Sequence, residues 1–276
     1  MLCFRLEIKS LSENDVDFVF NMYYNTSNRL YIGVLMAKFY RIAGLTVKMD
    51  SFGVTDEQAD KYRCEKSEIV DIEIESKRDL ISAKHPELTI EMCEYLASGF
   101  DFYKKLLNYS GFMLHSSAIV VDGCVYLFTA DSGTGKSTHT QLWLNIFGDR
   151  AYILNDDKPA LRLEDGVWYA YGTPWSGKYD ISVNSRIPIA GIAILERGDT
   201  NQIERYFGVG AIQALLKQVN RPRLTEYRIK LLELMDKLIT QVPVWKLKCN
   251  MDPEAAIVSY EAMSGQKFER KNENEN

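Results

Sequence analysis

The stretch VYLFTADSGTGKSTHTQLW, residues 125–143, decides how the chain is read. Its apolar start predicts a buried strand, its glycine-bearing centre a tight loop, and the residues from Lys136 to Phe147 a helix that stops at Gly148. The P-loop (Walker A) pattern is G-x-x-x-x-G-K-[ST]. Here Ala130 takes the first glycine position, and Asp131, Ser132, Gly133, Thr134, Gly135, Lys136 and Ser137 follow. Gly133 and Gly135 permit backbone angles that turn successive N–H groups toward one anion, and the helix that follows adds its positive dipole end at the same place. On this reading Ser132, Gly133, Thr134, Gly135, Lys136, Ser137 and Thr138 form the nucleotide contact. Lys136 reaches the β- and γ-phosphates, and Ser137 is a ligand of Mg²⁺. The competing reading is a glycine-rich strand-to-helix turn with no ligand, and the strand before and helix after weigh against it.

A second element, ILNDD, lies about twenty residues downstream of the loop. Asp156 and Asp157 close an apolar strand, where a P-loop protein needs a carboxylate for its metal. A pair divides the work: Asp157 on the metal, Asp156 accepting the proton of an attacking hydroxyl, with the two roles open to exchange. Without the P-loop upstream, a solvated turn would be the better reading of the same residues.

Upstream, FMLHSSAIVV and VYLFTAD are apolar runs joined by Asp122-Gly123, a hairpin signal. MLHSSAIVVDG, LFTADSGTGKST and YILNDDKPAL together resemble the catalytic domain of HPr kinase/phosphorylase, within the phosphoenolpyruvate-carboxykinase-like P-loop fold. The resemblance spans roughly residues 110 to 200. It implies ATP and Mg²⁺ as cofactors, a catalytic role for His115 with Asp156 and Lys136, and phosphorylation of a hydroxyl, serine above all. GIAILERGD offers Glu196-Arg197-Gly198 as a distant echo of that family's signature strand. YGTPWSGKYD, residues 171–180, resembles HPr-kinase-like proteins with a glycine-and-tryptophan loop, several of them associated with peptide modification. The implied acceptor is therefore a protein, a peptide or a small molecule. An ATP-binding sensor or assembly protein without phosphoryl transfer is the alternative from another class. Phosphoenolpyruvate carboxykinase itself is disfavoured by the short chain and the lack of an oxaloacetate site.

Composition bounds these readings. The 276 residues are 46% hydrophobic and 26% charged, an ordinary balance for a chain with a sizeable core. A net charge of −5 argues against an extended nucleic-acid surface. Five cysteines, at 3, 64, 93, 124 and 249, are scattered without a CxxC pair and read as reduced thiols of a cytoplasmic protein. The start, MLCFRLEIKS, has no long apolar block, so neither a secretory signal nor a membrane span is expected. A homo-oligomer is compatible with all of this.

The expected fold class is α/β (α+β), in three parts: a strand-rich accessory domain at 1–109, the P-loop catalytic domain at 110–265 and a disordered tail at 266–276. EIVDIEIES alternates with period two and FYRIAGLTVKM is extended around Gly44, which predicts a half-exposed antiparallel sheet. Leu88, Met92, Leu96, Tyr103 and Leu107 mark a helix whose aromatic residues belong to a core. Later helices are expected in GVGAIQALLKQV, LTEYRIKLLELMDKLIT and PEAAIVSYEAM, with short strands near 160, 168 and 181, in IAGIAIL and in VPVWKLK. His139 reads as surface or near-loop packing. Trp175 and Lys178 either line the acceptor site or pin a turn, and Arg221 and Arg223 either point at phosphate or serve as caps.

Overall fold

The computed structural model describes residues 5–6, 19–24, 30–35 and 38–269. Strands β1 (Arg5–Leu6), β2 (Val19–Tyr24) and β3 (Leu30–Leu35) pair antiparallel in a small sheet of their own. A second sheet begins with β4 (Lys38–Ile42) and β5 (Leu45–Met49), joined through Ala43 and Gly44 at φ 52° and 75°. Positive φ at both central residues is what a tight hairpin requires, and it explains the extended run around Gly44.

The period-two run EIVDIEIES yields less strand than its pattern predicts. Only Ile72 and Glu73 pair, as β6 (Ile72–Glu73), and they run parallel to β5. The Asp71 and Ile74 N–H groups still donate to the Thr46 and Lys48 carbonyls at 2.9 and 2.8 Å, and beyond them side chains take over: Asp71 accepts the Thr46 N–H at 2.7 Å and Asp101 the Glu75 N–H at 2.9 Å. Helices α1 (Gly53–Ala59), α2 (Arg78–Lys84) and α3 (Ile90–Leu106) follow, the last capped by Thr89, whose hydroxyl accepts the Met92 N–H.

The main sheet has nine strands: β7 (Gly111–Met113), β8 (Ser116–Val121), β9 (Cys124–Thr129), β10 (Ala151–Asn155), β11 (Ala160–Glu164), β12 (Val167–Tyr171), β13 (Arg186–Arg197), β14 (Gln202–Arg205) and β15 (Val244–Cys249). Helices α4 (Lys136–Phe147), α5 (Gly208–Lys217), α6 (Thr225–Gln241) and α7 (Glu254–Ser264) pack around it. The fold is mixed α/β. The strand order is β10-β8-β9-β13-β12-β11-β7, with β15 on the second half of β13 and β14 on β15. IAGIAIL is the buried centre of β13, which runs parallel to both β9 and β15. Near 181 there is only a single bridge, Asn155 to Ser182.

FMLHSSAIVV, which reads as one run, breaks at Leu114 and His115. β7 joins β11, β8 joins β9 and β10, and the His115 N–H donates to the Gln218 carbonyl at 2.8 Å. His115 therefore lies between strands and not on one.

Both faces of the sheet are covered, as the alternation of β8 and β9 demands. Ala118, Val120, Val125 and Leu127 face a core shared with Tyr40, Val47, Phe102 and Met235, so residues 38–109 pack on the same core as the main sheet. Ile119, Val121, Tyr126 and Phe128 face α4 and α7. On that side Trp143 meets Tyr126 at 4.9 Å, Phe128 at 5.3 Å and Phe147 at 5.5 Å between ring centroids. Such aromatic pairs add roughly 0.5–1.5 kcal/mol each beyond area burial.

His139 belongs to the same cluster, so of its two expected places, surface or near-loop packing, the structure shows packing. It lies one helical turn before Trp143, is 3% exposed, and meets the Ser259 hydroxyl and the Trp143 indole N–H at 3.1 and 3.2 Å. Burial pushes its pKa down to about 4. The cysteines at 64, 93, 124 and 249 are free; Cys3 lies outside the described residues. Of the tail, Phe268 packs against Phe147 at 5.6 Å, and residues 270–276 lie outside the described residues. Among the described residues no helix is long and apolar enough to cross a membrane.

Candidate functional site

The glycine loop joins β9 to α4. Gly133 and Gly135 have φ of 76° and 122°, and a Cβ built on either would meet nothing within 4 Å. Glycine is needed here for backbone conformation, while the space over the loop stays open. Lys136, 9% exposed, folds back across the loop so that Nζ donates to the Ala130 carbonyl at 3.0 Å. Burial lowers its pKa, and Asp157 and Asp156 oppose that shift. From outside, Arg197 at the end of β13 donates to the Gly133 and Thr134 carbonyls at 2.6 and 3.3 Å. Gln218 donates to the Asp131 carboxylate at 2.9 Å. Ser137 and Thr138 are exposed on the first turn of α4.

The carboxylate pair stands on a turn after β10 that Asn155 organises. Asn155 is fully buried. Its Oδ1 accepts the N–H groups of Asp157 and Lys158 at 3.0 and 2.8 Å, and its Nδ2 donates to the Thr173 carbonyl at 3.0 Å. The two carboxylates then part company. The Ser117 hydroxyl donates to Asp156 at 2.5 Å and pairs with the Thr140 hydroxyl at 3.0 Å; Thr140 bonds back to the Ser137 carbonyl at 3.1 Å. This chain ties Asp156 to the start of α4. Asp157 instead meets Lys158 Nζ at 2.8 Å and His115 Nε2 at 3.4 Å. Burial, and then the Lys136 ammonium, lower the His115 pKa, so its imidazole is neutral at pH 7.

The wall behind Asp157 is the loop 172–180. A Cβ on Gly177 would stand 3.2 Å from Asp157 Cβ, and its φ of 78° suits glycine. The early part of the chain fixes this loop: the Gly177 N–H donates to Tyr95 Oη at 3.1 Å, Gln58 donates to its carbonyl at 2.9 Å, and Lys61 pairs with Asp180 at 3.0 Å. Trp175, 1% exposed, stacks on Phe102 at 4.8 Å and donates to the Ser98 hydroxyl at 3.3 Å. Trp175 thus pins the loop, whereas Lys178 lies by the exposed Tyr179 ring at 5.5 Å. Arg221 donates to the Leu216 carbonyl at 3.3 Å, closing the end of α5. No hydrogen bond or ion pair among the described residues ties Arg223 to the glycine loop.

One cleft lies on the loop and another lies beside His115. One, of about 430 Å³, is lined by Ser132, Gly133, Thr134, Glu196 and Arg197. The other, of about 160 Å³, is lined by His115, Lys158, Lys217, Gln218 and Asn220. Among the described residues no cluster of three or more His, Cys, Asp or Glu forms a protein-only metal cage. One or two carboxylates beside a phosphate loop is nevertheless the donor set that suits Mg²⁺, which is held by few protein oxygens together with phosphate oxygens.

The structure brings His115, Lys136, Asp156 and Asp157 into one neighbourhood with the glycine loop. Sequence reasoning missed Ser117, Thr140, Asn155, Arg197 and Gln218 as parts of it. Asn155 and Arg197 stood inside quoted motifs, ILNDD and LERGD, and their polarity at strand ends was the available signal. Gln218, at the end of α5, had none.

No family model and no curated protein matches the sequence. Among solved structures the chain is similar to the Hpr(Ser) kinase/phosphatase from Coxiella burnetii, with a TM-score of 0.33 and 11% identity over 55% of this chain and 95% of that one. A superposition that loose assigns no residue of one chain to a residue of the other.

Proposed function

We propose that the chain is a phosphotransferase that moves the γ-phosphoryl group of ATP to a hydroxyl, a serine side chain or a small molecule. The observation that carries this reading is the pairing of an open glycine loop, crossed by Lys136, with two carboxylates whose surroundings differ. In the proposed reaction the loop amides and Lys136 hold the phosphates, with the nucleoside in the larger cleft by Arg197. The acceptor oxygen attacks the γ-phosphorus, the bond to the β–γ bridging oxygen breaks, and ADP leaves with that electron pair. The hydroxyl proton passes to a carboxylate.

The sequence assigns that proton to Asp156 and the metal to Asp157; the contacts favour the exchange. Asp156 is bound through Ser117 and Thr140 to the helix that carries Ser137, so Asp156 and Ser137 would hold Mg²⁺ with phosphate oxygens. Asp157 faces His115 and Lys158, which line the smaller cleft, and so stands where an acceptor hydroxyl would arrive. Bound there, Mg²⁺ supplies charge neutralisation of the phosphates. A neutral His115 beside Asp157 orients the carboxylate without cancelling its charge.

The test is incubation with γ-labelled ATP, Mg²⁺ and a panel of seryl peptides, HPr and free serine, beside nucleotide binding by calorimetry. Label transfer that is lost in Lys136→Ala supports the kinase. Tight ATP binding with no transfer to any acceptor favours the sensor, and ATP affinity unchanged in Lys136→Ala rejects the phosphate loop.

A further inference from the structure

We propose that the smaller cleft is an acceptor pocket for a small hydroxy acid, a molecule that presents its hydroxyl to Asp157 and its carboxylate to Lys217. This rests on the phosphotransferase reading and narrows its acceptor. The cleft measures about 160 Å³, below the ~300–1,000 Å³ of pockets for drug-sized ligands. A compact acid with a backbone of roughly three or four carbons matches it.

The lining is one-sided in charge. Lys158, Lys217, Gln218, Asn220 and His115 line the cleft and no carboxylate does, with the Gln218 amide already donating to Asp131. Lys158 is paired with Asp157. Lys217, in contrast, has no carboxylate partner among the described residues, and it lies on the last turn of α5. An anionic ligand completes that set, because a carboxylate between an ammonium and side-chain amides gains charge-assisted hydrogen bonds. Met113 and Val219 give the same cleft an apolar side suited to a short carbon chain. A serine within a polypeptide would bring its hydroxymethyl group alone and leave Lys217 unengaged.

The geometry also gives the ligand a direction. His115 and Lys158 line the cleft and both touch Asp157, so a hydroxyl at that end lies next to the two residues that hold the proposed proton acceptor. Lys217 and Asn220 line the same cleft from the end of α5, which leaves the carboxylate end for them.

The experiment measures binding of D-glycerate and L-serine to the full chain by calorimetry, with D-glyceramide, the uncharged amide of glycerate, and a seryl peptide capped at both ends as controls. The acids are expected to bind at one site and the amide and capped peptide to bind far more weakly. Lys217→Gln should weaken the acids about 5- to 10-fold, the size of one partly screened charge-assisted bond, and Lys217→Arg should restore most of it. Lys217 is exposed at a helix end, so neither variant threatens the fold. Equal binding of acid and amide, or acid binding indifferent to Lys217→Gln, overturns the proposal, as does selective binding of the capped peptide. ATP binding that depends on Lys136 is measured on the same samples; its persistence alongside a failed acid site removes the acceptor assignment and leaves the phosphotransferase standing.

Discussion

The glycine loop and the carboxylate turn stand side by side and are held in opposite ways. The loop takes its shape mainly from its own backbone, with two glycines at positive φ, a helix that starts at Lys136 and a lysine folded onto the loop's first carbonyl, while Arg197 and Gln218 brace it from outside. The turn is held by side chains from far along the chain. Asn155 and Thr173 shape it, Ser117 and His115 meet its two carboxylates, and Gly177 behind it is gripped by Gln58 and Tyr95. A motif of the first kind carries most of its geometry within a dozen residues and needs only a brace or two from elsewhere. A motif of the second kind depends on the whole fold, residues 38–109 included.

Chemistry should split the two most widely. Under the proposed reaction, Asp157→Asn removes the proton acceptor while keeping size and much of the hydrogen bonding, so transfer should fall about 10²- to 10⁴-fold with MgATP affinity nearly unchanged. Asp156→Asn should instead raise the Mg²⁺ concentration needed for half-maximal rate. Single-turnover transfer across a metal titration reads both. If Asp156→Asn abolishes transfer at saturating metal while Asp157→Asn remains active, the roles are as the sequence alone assigns them and the contacts mislead.

Next in size is the wall of the turn. Trp175→Ala empties a fully enclosed site between Phe102 and Ser98 and should cost about 3–5 kcal/mol in urea unfolding. Because the loop it pins backs Asp157, transfer in the folded fraction should fall while nucleotide affinity holds. A variant that loses stability yet transfers at the parent rate would show that the wall supports folding only.

The anchor of the glycine loop offers a contrast through pH. His139 sits on α4 behind the loop, and its pKa moves from 6.5 to about 4 on burial. Between those values the unfolded chain binds a proton that the folded chain excludes, so stability from this residue is fully present above pH 6.5 and lost as pH falls toward 4. The loss amounts to about 3 kcal/mol at ~1.36 kcal/mol per pH unit. His139→Gln should flatten that part of the stability profile even if the variant is weaker at pH 8. An unchanged slope between pH 6.5 and 4.5, measured from urea midpoints, contradicts the assignment.

How much of this was legible in the sequence follows from the same division. The strand, loop and helix around residues 125–147 could be read because each boundary is marked locally, by Gly133, Gly135 and Gly148. The Asp pair was visible as a strand end, but which carboxylate faces what depends on Ser117, Thr140 and His115, brought together by strand order. The break at His115 could not be seen, because the residues on both sides are apolar and buried and the two halves differ only in their neighbours. Trp175 was ambiguous for a related reason: its partners, Phe102 and Ser98, lie some seventy residues away. His139 stayed between surface and near-loop packing because its partner, Ser259, lies 120 residues away.

The smallest expected effect gives the sharpest comparison, since it sets two glycines of equal strain against each other. Gly133 and Gly123 have φ of 76° and 79°, and a Cβ on either would meet nothing within 4 Å. Alanine at either position therefore pays for left-handed backbone alone, about 1–2 kcal/mol, with no collision to add. Gly123 closes the hairpin between β8 and β9, whereas Gly133 is the loop residue whose carbonyl Arg197 holds at 2.6 Å. Gly123→Ala and Gly133→Ala should lose similar stability in urea, yet only Gly133→Ala should weaken ATP binding, because relaxing its strain turns the loop amides away from a common centre. Binding weakened equally in both would point to a general loosening of the sheet. Binding untouched in both would mean that the loop's shape serves the strand-to-helix connection and not a phosphate.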